Sequence, residues 1–323
     1  MCIRDRLTFS ELNISPDMTP QKRVVAITGA NGFIGSQICK TLHRSGLKTR
    51  VLIRNPEKSA SAFTSSEVVR GDLHDLTALA DLTDGADYLI HCAGRVRGTC
   101  ARQFDHDNAV GTENIARVAS NSDSLTKCIY ISSLSARHPE LSFYAASKFK
   151  GEQVLTGYPA NSWQIIRPPA VYGPGDKEMR PLLDSISRGI LWLPGDIDNR
   201  FSLLHVYDLC NLVSAVLKSS VLADHIIEPD DGTPGGYSWG DIRNIASAYF
   251  ERNIYTIPVP RLILASVAHM NVLFSRALRG TPMLTPGKVQ ELTYSNWVVN
   301  QDKSTLDWSP EYNFTAGLST LYR

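Results

Sequence analysis

Tyr144 and Lys148, in the run Tyr144-Ala145-Ala146-Ser147-Lys148, stand four residues apart and so share one face of a helix. A free phenol ionises near pH 10, too high for a base at neutral pH. An ammonium held beside it favours the phenolate and lowers that value, which makes the pair a candidate proton-transfer unit. Eleven residues before the tyrosine lies Ser133, at the end of the apolar run that closes Ile131-Ser132-Ser133. In an open α/β sheet the carboxyl ends of the strands face the ligand crevice, so a hydroxyl there can hydrogen-bond a carbonyl or an alkoxide. A tyrosine and a lysine at this spacing are common by chance. The weight of the pair comes from the elements that must position it.

The first of those is the stretch Thr28-Gly29-Ala30-Asn31-Gly32-Phe33-Ile34-Gly35. It follows the apolar run Arg23-Val24-Val25-Ala26-Ile27 and opens a helical pattern from Phe33 to His43. Glycines at 29, 32 and 35 let the chain turn sharply and let a phosphate pair approach the backbone. The helix start behind them offers free N–H groups and a positive dipole end. Strand, glycine turn and helix in this order form a dinucleotide pyrophosphate site, with Gly29, Asn31, Gly32, Phe33, Ile34 and Gly35 as the contact residues. An oxidised nicotinamide cation would depress the tyrosine pKa further.

From residue 23 to about 170, apolar strands alternate with amphipathic helical stretches. Strands are expected at 23–28, 48–53, 67–70, 87–92, 127–132 and 163–167, and helices at 105–120 and 143–156. Continuous apolar runs such as Tyr88-Leu89-Ile90 suit strands buried on both faces, so the expected fold is α/β, a doubly wound parallel sheet of Rossmann type with helices on both sides. The dinucleotide-binding domain is expected at 22–175. Beyond it the texture changes: proline and glycine become frequent, as in Leu193-Pro194-Gly195-Asp196, and helices are expected near 179–188, 206–218, 238–250 and 261–278. Residues 176–323 are read as a smaller substrate-binding part, intercalated with the last sheet elements at about 201–228. Residues 1–21 are polar and aperiodic and are expected to be a disordered extension, with Met18 an alternative start.

The 323 residues, 43% of them hydrophobic, suffice for a large core. A net charge of +1 with no basic stripe argues against a nucleic-acid partner. The 6 cysteines are scattered without a C-x-x-C pair, which argues against a metal centre or a disulfide framework and for a reducing cytoplasm. No apolar run reaches the ~20 residues needed to span a bilayer, and the charged first residues do not resemble a cleavable signal. Residues 261–278 are mostly apolar, but His269 and Asn271 interrupt them. The expectation is a helix packed on the substrate-binding part, in preference to one that faces a membrane or lines a lipid site.

Taken together, TGANGFIG (28–35), GDLHD (71–75), HCAG (91–94), DNAVGTEN (107–114), YISS (130–133), YAASK (144–148), RPPAVYGPGD (167–176) and HVYDL (205–209) resemble the extended short-chain dehydrogenases/reductases, the NAD-dependent epimerase/dehydratase group, with features similar to hydroxysteroid dehydrogenases. The resemblance implies a nicotinamide cofactor and hydride transfer assisted by Ser133, Tyr144 and Lys148, with Ser132 the alternative serine. It implies that Tyr144 is the acid/base, that Lys148 also binds the ribose, that Asp72 and Leu73 flank the adenine, that Cys92, Ala93 and Gly94 line the middle of the cofactor, and that Pro168 approaches the nicotinamide. It treats His205 and Asp208 as a structural join and Asn108 as a support for the active-site backbone, and it suggests a homodimer.

Enzymes of this pattern that use NAD place an acidic residue after the second strand, for the ribose hydroxyls. This chain has Arg54 there, and a guanidinium clasps a phosphate but cannot accept from a hydroxyl. NADP(H) is therefore expected, with NAD(H) the alternative. Nucleotide-sugar members carry an asparagine soon after the strand that ends at Arg167, where this chain has Ala170, and Arg200 is offset from the usual arginine. The expected activity is oxidation or reduction of a secondary alcohol or ketone on an apolar small molecule. The alternatives are a nucleotide-sugar epimerase or dehydratase and, in another class, a non-catalytic NADP-sensing regulator, which would have no use for an intact acid/base.

Overall fold

Six apolar runs become strands within a residue of their expected limits: β1 Val24–Thr28, β2 Lys48–Ile53, β3 Ser66–Arg70, β4 Tyr88–His91, β5 Lys127–Ile131 and β6 Trp163–Ile166. Between them lie α1 Phe33–Arg44, α2 Leu76–Thr83, α3 Ala101–Asp105, α4 Gly111–Ala119 and α5 Phe143–Leu155. The computed structural model describes residues 23–58, 63–158, 163–219, 226–278, 280–299 and 306–322. The expected extension at 1–21 lies outside the described residues.

The remaining elements are β7 Ala170–Tyr172, α6 Arg180–Ser187, β8 Ile190–Pro194, β9 Arg200–Phe201, β10 Leu203–His205, α7 Val206–Lys218, β11 Ile226–Ile227, β12 Tyr237–Ser238, α8 Trp239–Tyr249, β13 Tyr255–Val259, α9 Arg261–Ala277, α10 Pro286–Thr293, β14 Asn296–Trp297 and α11 Phe314–Ser319. β11 returns to the large sheet, with Ile226 opposite Ile165, which gives the order β11-β6-β5-β4-β1-β2-β3, parallel throughout. The chain winds outward from β1 through β2 to β3, then crosses back to β4 on the other side of β1. That reversal places a crevice at the carboxyl ends of β1 and β4.

A parallel sheet needs cover on both faces, and alternate residues of each strand meet the two layers. Ile27, Ile53, Ile90 and Ile129 pack with Ile38 and Leu42 of α1 and Leu209 and Val213 of α7. Ala26, Leu52, Leu89 and Tyr130 pack with Leu79 and Leu82 of α2, Ile115 of α4 and Leu155 of α5. A third core around Tyr172, Leu203, Trp239 and Phe314 joins the short strands to α6, α8 and α11.

The HVYDL segment is a join. His205 caps α7, and its Nε2 lies 3.0 Å from Thr320 Oγ1. The buried carboxylate of Asp208 accepts from Glu311 N at 2.9 Å and Tyr312 N at 3.0 Å, tying the C-terminal segment to the sheet layer.

Residues 261–277 form the expected helix, but it does not pack as expected. Among the described residues of α9 only Ala268 is fully buried; Leu264, Ala265 and Val272 are half-buried, and most of its large side chains are exposed. Among the described residues no helix is long and apolar enough to cross a membrane.

Candidate active site

Backbone crowding explains two of the three glycines after β1. Gly29 has φ +72°, and a Cβ there would lie 2.5 Å from the backbone nitrogen of Ala93, in the loop after β4. A Cβ on Gly35 would lie 2.2 Å from the carbonyl oxygen of Gly29, so α1 can press against the turn only without a side chain. The turn closes through Gly32 N to Gly29 O at 3.0 Å. Gly32 is different: it is exposed, and a Cβ there would meet only Gly29 O, at 3.2 Å. It caps α1 without a side-chain hydrogen bond, so the first amides of the helix are left to an outside acceptor. Asn31 beside it is exposed, and Phe33 and Ile34 are half-buried. This cradle fits a dinucleotide pyrophosphate.

A run of hydrogen bonds ties the cradle to the next loop. Ala93 N donates to Thr28 Oγ1 at 3.2 Å, and Thr28 Oγ1 lies 2.6 Å from His91 Nδ1. His91 Nε2 lies 3.1 Å from Thr112 Oγ1, which donates to Asn108 O at 2.7 Å. Because Thr112 spends its proton on Asn108, His91 must donate from Nε2 and accept at Nδ1, as the neutral imidazole. Burial first, and the Lys148 charge second, push its pKa down to about 3, which agrees with that assignment. His91 is therefore a buried, neutral link in this hydrogen-bonded run.

Asn108 sits in a π-helical turn, His106–Val110, between α3 and α4. Its Oδ1 accepts from Arg95 N at 2.6 Å, and its Nδ2 donates to Arg95 O at 3.0 Å and Ser147 Oγ at 2.8 Å. It thus clamps the backbone just beyond Gly94 to the helix that carries Tyr144 and Lys148. A Cβ on Gly94 would lie 3.0 Å from Asn108 Oδ1, so the loop packs tightly on Asn108 at a position without a side chain, and 3.9 Å from Lys148 Nζ. Cys92 and Ala93 are half-buried in the same loop.

Helix α5 begins at Ser142, whose hydroxyl accepts from Ala145 N at 2.9 Å. Tyr144 is half-buried, its ring edge-on to Phe104 at 6.4 Å. Lys148, one turn on, is 4% exposed; its Nζ donates to Ile131 O at 2.7 Å and lies 4.3 Å from the centre of the Tyr130 ring. Burial lowers its pKa, opposed by Tyr144, Glu152 and Cys92.

The two serines have different partners. Ser132 is buried and donates to Glu152, which Arg167 also grips. Ser133 is half-buried and caps the single turn Leu134–Arg137. Its oxygen accepts from Ser135 N at 3.3 Å and Ser135 Oγ at 2.9 Å, which leaves its own proton to donate. Pro168 is buried beside it, its carbonyl accepting from Leu134 N at 2.8 Å.

The expected cofactor residues divide by position. Those after β1, β4, β5 and β6 meet at the switch-point crevice. Arg54 is exposed just past the end of β2, Asp72 is exposed just past β3, and Leu73 is buried against Gly111. One contributor is absent from the sequence reading: helix α10. Ser142 donates to Glu291, and Lys288 Nζ lies 3.0 Å from Glu291 Oε2. Glu291 foremost, and Tyr144 more weakly, raise the Lys288 pKa, so a C-terminal lysine stands within the electrostatic reach of the tyrosine. The helix-start signature Thr285-Pro286 was readable, but its docking partner 143 residues earlier was not.

Residues 25–227 match the model of the NAD dependent epimerase/dehydratase family. Over 283 residues the chain is 33% identical to ceramide reductase of Caulobacter vibrioides, covering 86% of this chain and 87% of that protein. It is 25% identical to 2-alkyl-3-oxoalkanoate reductase of Stenotrophomonas maltophilia, covering 92% and 98%. Among solved structures, UDP-glucose 4-epimerase from Thermotoga maritima with UDP-glucose superposes with a TM-score of 0.71 at 14% identity, covering 92% of this chain and 96% of that one. UDP-glucuronic acid 4-epimerase from Bacillus cereus, in complex with UDP-glucuronic acid and NAD, gives a TM-score of 0.68 at 19% identity, covering 92% and 97%. With its parallel sheet and glycine turn, the match over residues 25–227 and the 33% identity above, the chain belongs to the NAD-dependent epimerase/dehydratase family of extended short-chain dehydrogenases/reductases.

Proposed function

We propose that this NAD(P)-dependent oxidoreductase interconverts a ketone and a secondary alcohol on an apolar, lipid-like substrate. Tyr144 passes a proton to or from the substrate oxygen, and Ser133 donates a hydrogen bond to the same atom. Lys148 holds the cofactor ribose and, as a cation, favours the phenolate. The bound nicotinamide supplies or accepts the hydride. The observation that carries this reading is the buried Lys148 ammonium, one turn from Tyr144, with one of its three protons on Ile131 O and the others left for ribose.

The substrate class rests on two supports. The relatives with 33% and 25% identity are named as reductases of a ceramide and of a 2-alkyl-3-oxoalkanoate. Features that suit nucleotide sugars are missing: position 170 is alanine, and the Arg200 guanidinium donates to Gly235 O at 2.7 Å and Gly236 O at 2.9 Å. NADP(H) is the proposed cofactor, because Arg54 stands exposed past β2. The described cysteines Cys39, Cys92, Cys100, Cys128 and Cys210 are all free, which supports a reducing cytoplasm.

A panel of long-chain 3-oxo compounds, N-acylated amino ketones, steroid ketones and UDP-sugars, run with NADPH and with NADH, tests the reading. The expected result is consumption of NADPH in step with reduction of an apolar ketone. Conversion of a UDP-sugar to its epimer, with no net change in nicotinamide absorbance, would contradict it.

A further inference from the structure

Helix α9 presents its large apolar side chains to solvent. Leu262 is 83% exposed, Leu273 67%, Phe274 58% and Leu278, just past its end, 80%; Ile263, Val267 and Met270 are also exposed. At 100° per residue these seven fall within an arc of roughly 160°, and on the opposite side Ala268 is buried and Leu264, Ala265, Asn271, Val272 and Ser275 are half-buried. Within the arc, the Ser266 hydroxyl is satisfied by its own helix, donating to Leu262 O at 2.9 Å. The strand that leads into α9 continues the pattern. Tyr255 is 70% exposed, and Ile257 lies opposite the exposed Trp192 in the β8–β13 pair.

The sequence of this segment is rich in cations. Residues 252–290 contain Arg252, Arg261, Arg276, Arg279 and Lys288 and no aspartate or glutamate between the bounding Glu251 and Glu291, the latter paired with Lys288, although the chain as a whole is nearly neutral at +1. An exposed apolar arc in a cationic segment is the pattern of a helix lying in the plane of a bilayer. Basic side chains add attraction to anionic headgroups, and exposed tryptophan and tyrosine suit the headgroup level. A second copy of the chain suits the face less well, because a two-fold contact would set two segments of net positive charge together.

We propose that the α9 face is a docking surface for an anionic lipid bilayer, lying in its interface without crossing it. The claim does not depend on the chemistry assigned to Tyr144. α10, whose Glu291 receives the Ser142 hydroxyl at the start of α5, is the next helix along the chain, so docking would bring the bilayer to the side of the molecule that borders the active site.

Flotation of the full-length protein with phosphatidylcholine vesicles, with and without phosphatidylglycerol, tests this. The protein should float with the phosphatidylglycerol vesicles, and added salt should weaken the binding. The double substitution Leu273→Glu and Phe274→Glu should reduce binding at least about tenfold while leaving the melting temperature and cofactor affinity unchanged, since both side chains already face solvent. Three results would overturn the proposal: no binding above the phosphatidylcholine control, binding untouched by the double substitution, or a dimer in solution that the same substitution splits with no vesicle binding by either form.

Discussion

The Lys148 ammonium donates a 2.7 Å hydrogen bond to the carbonyl oxygen of Ile131, the last residue of β5. The sheet thereby fixes the height of the nitrogen above the strand ends, beside the Gly94 loop. Lys148→Ala should weaken cofactor binding roughly ten- to a hundredfold, the cost of a charge-assisted hydrogen bond, and lower kcat as well. Lys148→Arg should not restore either, because the planar guanidinium cannot occupy the same point. Cofactor titration by fluorescence checks both variants; wild-type affinity in Lys148→Ala would remove the lysine from the ribose.

Arg54→Asp should turn preference from NADP toward NAD. It removes the proposed phosphate partner and adds an acceptor for the ribose hydroxyl, a change of about 1.5–3 kcal/mol against NADP. Paired dissociation constants for both cofactors decide it, and a wild-type protein that binds NAD more tightly than NADP defeats the assignment before any variant is made.

Gly35→Ala should cost both stability and cofactor binding. The new Cβ would lie 2.2 Å from Gly29 O, so α1 must move off the turn. Overpacking of this kind costs about 1–3 kcal/mol. Gly32→Ala meets only one atom at 3.2 Å and should leave the melting temperature nearly unchanged while weakening cofactor binding. Thermal melts with and without NADPH separate the two effects.

Acid should destabilise the protein through two buried imidazoles. Burial holds His91 at about 3 and His205 at about 4, below the usual 6.5. The unfolded chain therefore binds protons in this range that the folded chain refuses. The stability these groups contribute is complete above pH 6.5 and is lost as pH falls toward 4 and 3, at up to about 1.4 kcal/mol per pH unit for each. Urea unfolding from pH 7 to pH 5 should show the fall, and His91→Gln should flatten it. A His91→Gln variant whose stability falls as steeply as that of the wild type would contradict the His91 contribution.

The sheet was legible because its strands are buried on both faces. Runs such as Tyr88-Leu89-Ile90 admit no surface reading, and their limits in the structure lie within a residue of the expected ones. The glycine turn and the Tyr144–Lys148 spacing were legible because local geometry dictates them. The choice between Ser132 and Ser133 was not, since it depends on Glu152, which reaches back from the far end of α5 to take the Ser132 hydroxyl. The π-helical turn at His106–Val110 was read as part of one continuous helix, because a single extra residue leaves the apolar period almost intact. Helix α9 was expected to be packed. Periodicity identifies an apolar face but not what covers it, and in the structure the protein covers only the opposite side.

The account stands most directly on Tyr144→Phe. Phenylalanine keeps the ring and its edge contact with Phe104 but has no proton to move. With the substrate identified by the panel, single-turnover rates and NADPH dissociation constants should be measured for wild type and variant. The account predicts a rate lower by roughly 10²–10⁴-fold, with cofactor affinity within about twofold of wild type, because the proposal assigns the ribose contact to Lys148. A variant that keeps more than about a tenth of the wild-type single-turnover rate would contradict it and move the proton transfer to another group.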